Sequence, residues 1–194
     1  MEEVTKEYRH IPVLLSECLE QSNLKTHHTF VDATLGGAGH SSEVAQRLGS
    51  DGVLIGIDQD EMALAAAGAR LRNLALNTPP RIELLRGNFG NLDELLLEAE
   101  IPGVDAFLFD LGVSSPQLDF PSRGFSFKED SPLDMRMDPG KQTVTAAELI
   151  NTLDASELTR IIRDYSDEKW ASRIAQFIVE SREHAPIETS SQLV

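Results

Sequence analysis

Cysteine occurs once in the 194 residues, as Cys18. A lone thiol excludes a disulfide framework or a cysteine metal cluster within the chain, and it fits a reducing compartment, so the cytoplasm is expected. No stretch approaches the ~20 consecutive apolar residues of a membrane span. The first ten residues, MEEVTKEYRH, lack the basic-then-apolar order of a signal peptide. Cations are scarce as well: 17 Lys and Arg stand against 32 Asp and Glu, a formal net charge of −15. Residues 1–120 carry −11 of it and residues 121–194 carry −4. Phosphate neutralisation needs clustered cations, so bulk electrostatics exclude tight binding to naked nucleic acid. Any such role must rest on a local patch or on a partner.

What is present is a repeating pattern. An amphipathic stretch at 12–24 precedes a short apolar run, Phe30 to Ala33, and a glycine loop. A helix is expected from Ser41 to Leu48, stopped by Gly49, then a strand at Val53 to Asp58. Alanine-rich residues 61–76 predict a helix, 82–89 a strand, 92–100 a helix and 104–110 a fourth strand. Apolar rather than alternating strands, separated by helices, are the pattern of a parallel sheet covered on both faces, hence an α/β fold. Ligands of such sheets sit beyond the carboxyl ends of the strands. The candidates are therefore the loop after the first strand, Asp58 after the second, Asn88 and Phe89 after the third, and Asp110 after the fourth.

Residues 112–140 are rich in Pro, Gly, Ser and Asp without periodicity. Loops of that length are usually functional or disordered. The interleaved Phe120, Phe125, Phe127, Leu133 and Met135 argue for an ordered one, with Phe125 and Phe127 expected to pin it, although they are also able to stack a base. Three helices are expected after it, at 145–153, 155–165 and 167–183, with Pro186 opening a further segment. His27, His28 and His184 read as solvated. No clustered ligand set points to a metal.

The glycine loop, VDATLGGAGHSS, narrows the ligand. Gly37, Ala38 and Gly39 begin a G-x-G-x-x-G fingerprint whose third glycine is missing, and the Gly-Lys-Ser/Thr ending of a phosphate loop is absent. A loop with no Lys or Arg suits a ligand without phosphate. Asp58 lies 19 residues beyond Gly39, suited to accept hydrogen bonds from two ribose hydroxyls. A methyltransferase loop is the reading that remains, although a tight turn without ligand would look similar.

HIPVLL, DATLGGAGHS, GIDQD, DLGVSSPQLD, RGFSF and PLDMRMD, in that order, resemble the MraW (RsmH) family of ribosomal RNA methyltransferases across the whole chain from His10 onward. The resemblance implies a Rossmann-like class I S-adenosylmethionine-dependent methyltransferase sheet with an inserted helical domain. It implies a core at 1–115, an ordered active-site loop at 116–140, and the start of a helical substrate-recognition insert at 141–194. The implied reaction moves a methyl group from S-adenosylmethionine to the N4 amino group of a cytidine in the decoding region of 16S rRNA. The family's cofactor contacts fall on Ala38, Gly39, His40, Asp58, Phe89, Asp110 and Gln117. Asp110, Ser114, Ser115 and Pro116 form the expected acceptor loop, and Arg123, Lys128 and Arg136 are candidates for RNA phosphates, with Arg136 equally able to pair with flanking aspartates. The acidic balance favours RNA within the small ribosomal subunit over free rRNA, with no membrane partner and a homodimer left open. Family members continue past the insert, so the resemblance implies a C-terminally truncated chain, inactive or nearly so by itself. Cofactor binding without catalysis, and less so an NAD-dependent oxidoreductase, stay open as alternatives.

Overall fold

The computed structural model describes residues 12–194. His10 and Ile11 of the HIPVLL segment, and the ten residues read for a signal pattern, lie outside them. The chain divides into two compact units, 1–112 and 113–194. The acceptor-loop residues from Ser114 onward and all of 116–140 therefore belong to the same unit as the later helices.

In the first unit, helix α1 (Leu15–Gln21) precedes strand β1 (Thr29–Asp32), followed by α2 (Gly39–Ala45), β2 (Val53–Asp58), α3 (Glu61–Arg72), β3 (Arg81–Arg86), α4 (Leu92–Glu98) and β4 (Ala106–Leu108). All strand pairs are parallel, in the order β3-β2-β1-β4. This is the α/β class that the apolar runs predicted, and the crossing from β1 to β4 makes a topological switch point. Consecutive strand residues feed opposite cores. Phe30 and Leu54 pack with Val44, Leu48 and Leu71 of the α2 and α3 side, whereas Val31, Ile55 and Ile57 pack with Leu92, Leu95 and Leu96 of the α4 side. Because both faces are covered, every position of β2 from Leu54 to Ile57 is buried.

Three boundaries differ from the periodic reading. Helix α3 stops at Arg72, not residue 76, because Leu74 and Leu76 leave the helix to pack on the α2-side core. Strand β3 stops at Arg86, since Gly87 N–H makes the last bond to Asp58 O (3.0 Å) and the Asn88 side chain then caps a 3₁₀ turn by accepting from Gly90 N (2.7 Å). Strand β4 spans three residues because its sole partner, β1, turns into the glycine loop after Asp32.

The second unit opens with α5 (Ser115–Asp119) and a 3₁₀ turn at Pro121–Arg123. Then follow α6 (Ala146–Thr152), α7 (Ala155–Ser166), α8 (Ala171–Arg182) and α9 (Ser190–Leu193). Leu133, Leu158, Ala175, Ile178 and Ile187 form its core. Helix α8 begins at Ala171 rather than at 167, because Asp167 is left-handed (φ 54°) and the Glu168 carboxylate accepts from Trp170 N (2.7 Å). The long segment before α6 is ordered by a distant strand-like contact. Pro132 bridges Thr189, Ser190 N donates to Ser131 O (2.9 Å), and Leu133 N donates to Glu188 O (2.9 Å). Phe125 is half-buried with the Arg123 guanidinium 6.0 Å from its ring, but Phe127, expected to pin the loop, is 81% exposed.

Candidate functional site

The carboxyl ends of β1, β2 and β4 converge on the glycine loop. The loop first prolongs the sheet: Ala33 N donates to Leu108 O (2.9 Å) and Leu35 N to Ile57 O (2.9 Å). It then turns through Gly36 (φ 49°) and Ala38 (φ 57°), both left-handed, with Ala38 N–H closing onto Leu35 O (2.8 Å). Gly36 takes this conformation freely, whereas Ala38 carries a methyl into it and is fully buried. Gly37 is exposed, and a Cβ there would meet nothing within 4 Å, so its backbone is open to a ligand. Ala38 is the N-cap of α2 and Gly39 its first residue.

Two carboxylates hold this loop. Asp58 accepts from Gly36 N (2.8 Å) and from Asp60 N (2.9 Å). A carboxylate has about four lone-pair positions, so these bonds do not exhaust its capacity to accept from a ligand. Burial raises the Asp58 carboxyl above its ordinary pKa against the pull of those N–H groups. Asp32, buried at the end of β1, accepts from Ser41 Oγ (2.7 Å) and Thr34 N (3.2 Å), and burial raises it too.

His40 and Asp110 are brought together from elements seventy residues apart. The His40 Nε2 lies 3.1 Å from Val13 O, a carbonyl that only accepts, so in the neutral ring Nε2 carries the proton. Nδ1 then faces Asp110 Oδ2 at 3.8 Å. Asp110 is half-exposed and is held by its own N–H, which donates to Thr34 Oγ1 (2.7 Å). Beyond β3, Phe89 (38% exposed) meets Phe109 edge to face at 5.8 Å, and Phe109 stacks on Phe107 at 6.2 Å. Thr34 and Phe109 escaped the sequence reading. A clue to Phe109 was its period-2 spacing from Phe107, but the link from Thr34 to Asp110 spans 76 residues and has no local signal.

The remaining predicted residues lie in the second unit. Ser114 precedes α5, Ser115 and Pro116 open it, and buried Gln117 turns back in a capping-box arrangement, its Oε1 accepting from Ser114 N (2.8 Å). The Gln117 Nε2 meets Met137 Sδ at 3.1 Å. Arg123 donates to the carbonyls of Arg136 (3.1 Å) and Met137 (3.2 Å). Arg136 makes a two-pronged pair with Asp134 (2.9 and 2.6 Å) and donates to Gln142 O (3.0 Å). Its hydrogen bond holds the Asp134 carboxyl below the usual range. Local pairing is thus what Arg136 does here. Lys128 is exposed.

With this arrangement in view, the comparison with known proteins is decisive: the model of the MraW methylase family matches residues 7–194. The chain belongs to the MraW methylase family. Among curated MraW relatives, the protein named ribosomal RNA small subunit methyltransferase H of Geotalea daltonii is 48% identical over 188 residues, 97% of this chain and 59% of that protein. The like-named proteins of Clostridioides difficile and Symbiobacterium thermophilum are 46% and 47% identical, covering 97% and 96% of this chain and 59% and 57% of their own lengths. The chain therefore spans under three fifths of the length of these MraW relatives. No helix among the described residues is long and apolar enough to cross a membrane.

Proposed function

We propose that the protein transfers a methyl group from S-adenosylmethionine to the N4 amino group of a cytidine in the decoding region of 16S rRNA, acting in the cytoplasm on RNA within the small ribosomal subunit. The observation that carries the cofactor half of this reading is the Asp58 carboxylate, half-buried at the end of β2 and already tied to the glycine loop. Its remaining acceptor capacity suits a ribose hydroxyl. The residues fit the rest of the group as well. The loop from Gly36 to His40 has no Lys or Arg to favour a phosphate, its backbone is open at Gly37, and Asp32 and Asp110 supply negative charge where a sulfonium and an ammonium would need it. Ala38, Gly39 and His40 would contact the cofactor from the loop, Asp110 would face its methionine end, and Phe89 would flank the adenine.

Bound there, S-adenosylmethionine supplies a methyl group on a positively charged sulfur. The burden on the protein is the acceptor: the cytosine amino lone pair is delocalised into the ring, so the base must be held with its nitrogen able to pyramidalise. A carboxylate such as Asp110, accepting an N–H of that amine, favours this geometry. Ser114, Ser115 and Pro116 are assigned to orient the base, which must be unstacked at a cost of a few kcal/mol. A second reading, cofactor binding by this chain without transfer, is favoured by its covering 57–59% of the relatives' length.

Calorimetric titration with S-adenosylhomocysteine, with NADH as control, tests the proposal. Asp58→Ala should abolish binding, and Phe109→Ala, which leaves the loop's hydrogen bonds intact, should weaken it severalfold. A folded wild-type chain that ignores S-adenosylhomocysteine, or prefers NADH, would sink the cofactor assignment. Methylation of small ribosomal subunits by the 194-residue chain would remove the second reading.

A further inference from the structure

Trp170, the N-cap of α8, and Arg173, Ile174 and Phe177 within it follow the three- and four-residue spacing of one helical face, which flanks the buried side made by Ala171, Ala175 and Ile178. Trp170 is 66% exposed, Phe177 53% and Ile174 37%. Arg173 lies with its guanidinium 5.3 Å from the Phe177 ring centre. Trp170, Arg173 and Phe177, together with Lys169 and Gln176, line an open concavity of about 430 Å³. Two large aromatic rings thus leave more than half of their surface in water.

The charge of the face is the reverse of the chain's. Against a net −15, the concavity carries Lys169 and Arg173 and a single carboxylate, Glu180, which accepts from Gln176 Nε2 (3.0 Å). A second copy of the chain is a poor occupant, because isologous docking would bring the same cations together and oppose two strongly acidic bodies. Flat π-faces beside separated cations match the two chemical halves of a single-stranded nucleic acid, whose unstacked bases lie on aromatic rings while its phosphates meet Lys and Arg.

We propose that the surface formed by Lys169 and Trp170, in the turn before α8, and by Arg173 and Phe177 on α8 is a platform for a single-stranded stretch of RNA. Bases stack on Trp170 and Phe177, and Lys169 and Arg173 hold the adjoining phosphates. The platform rests on the rRNA reading above, but it uses none of the strand-end residues.

Trp170 is the only tryptophan, so its fluorescence reports the contact directly. The 194-residue chain is titrated with a labelled mixed-sequence 12-nucleotide RNA at low salt, following anisotropy and tryptophan emission. Binding in the micromolar range with quenching of Trp170 is expected. Trp170→Ala and Phe177→Ala should each weaken it about tenfold, Trp170→Phe should restore most of it, and Arg173→Gln should lower the salt slope by about one. S-adenosylhomocysteine affinity, measured on the same samples, should be unchanged in all four variants. Its absence in the wild type would count against the cofactor site and leave the platform standing. Wild-type affinity for RNA in both alanine variants, no RNA binding by the folded chain, equal quenching by a polyglutamate control, or a dimer dissolved by Trp170→Ala without any RNA response would each overturn the platform.

Discussion

Gly124, the glycine of the RGFSF motif, should be the least replaceable small residue of the helical unit. Its φ is +73° and ψ 12°, a left-handed conformation in which an alanine costs about 1–2 kcal/mol. Space adds a second penalty. A Cβ built on Gly124 would collide with Pro132 O and lie 2.7 Å from Asp134 N, both backbone atoms that no rotamer change can move. Those atoms are themselves committed: Asp134 N–H donates to Pro132 O (2.9 Å), and Met135 N–H returns to Arg123 O (3.0 Å). Overpacking of this kind costs about 1–3 kcal/mol, so Gly124→Ala should destabilise the unit by about 2–5 kcal/mol in total. With a urea dependence of ~1–2 kcal/mol per molar, the midpoint should fall by at least about 1 M. Urea unfolding followed by Trp170 emission, which reports this unit, and by helical circular dichroism is the assay. Gly103→Ala, where a Cβ meets nothing within 4 Å, is the control and should stay within about 0.5 kcal/mol of wild type. A Gly124→Ala midpoint indistinguishable from the control would refute the reasoning.

Other outcomes follow from the same geometry. Burial raises the folded-state Asp32 carboxyl above its unfolded value of 3.8, so its stabilising contribution is full below that value and is lost as pH rises through the raised one. Asp32→Asn escapes that loss, and its stability relative to wild type should improve as pH rises above 4 and level off once the wild-type carboxyl has ionised, as paired urea melts can show; a difference independent of pH would contradict it. Ala38→Gly loses a buried methyl, worth about 0.8 kcal/mol, but relieves a left-handed alanine, so it should be at least about 1 kcal/mol less damaging than Ala45→Gly within the same helix, as thermal melts can show. Arg136→Ala should lower the stability of the helical unit while leaving RNA anisotropy unchanged; the opposite pattern would return Arg136 to the phosphates.

The sequence announced the sheet because Val53 to Ile57 is apolar without alternation, a pattern that only a strand covered on both faces requires. It marked Asp58 as a candidate by its place at a strand end beyond a glycine loop, and the structure ties that carboxylate to the loop through Gly36 N. Element ends were less visible. The start of α8 depends on a left-handed Asp167, and the end of α3 depends on two leucines finding a core outside the helix, neither of which periodicity encodes. Arg136 was readable both ways, since its neighbours Asp134 and Asp138 were in plain view, and side-chain geometry alone chose Asp134. The α8 platform was passed over because Lys169, Trp170 and Phe177 sit in an otherwise ordinary helical pattern, where the aromatic positions look like core until the core is known.

The bridge between Pro132 and Thr189 has a consequence for how the chain comes off the ribosome. The four paired strands are complete once Leu108 has been made, so the sheet can begin to form early and from its N-terminal side. The segment from Ser131 to Leu133 finds its partners only in Glu188, Thr189 and Ser190, more than fifty residues later. Until those emerge it has no hydrogen-bonding counterpart, and Leu133 waits without Ile187. Synthesis therefore exposes an acidic, proline-rich stretch for the time needed to translate three helices, and the polar composition of 112–140 keeps that interval from becoming an opportunity for aggregation.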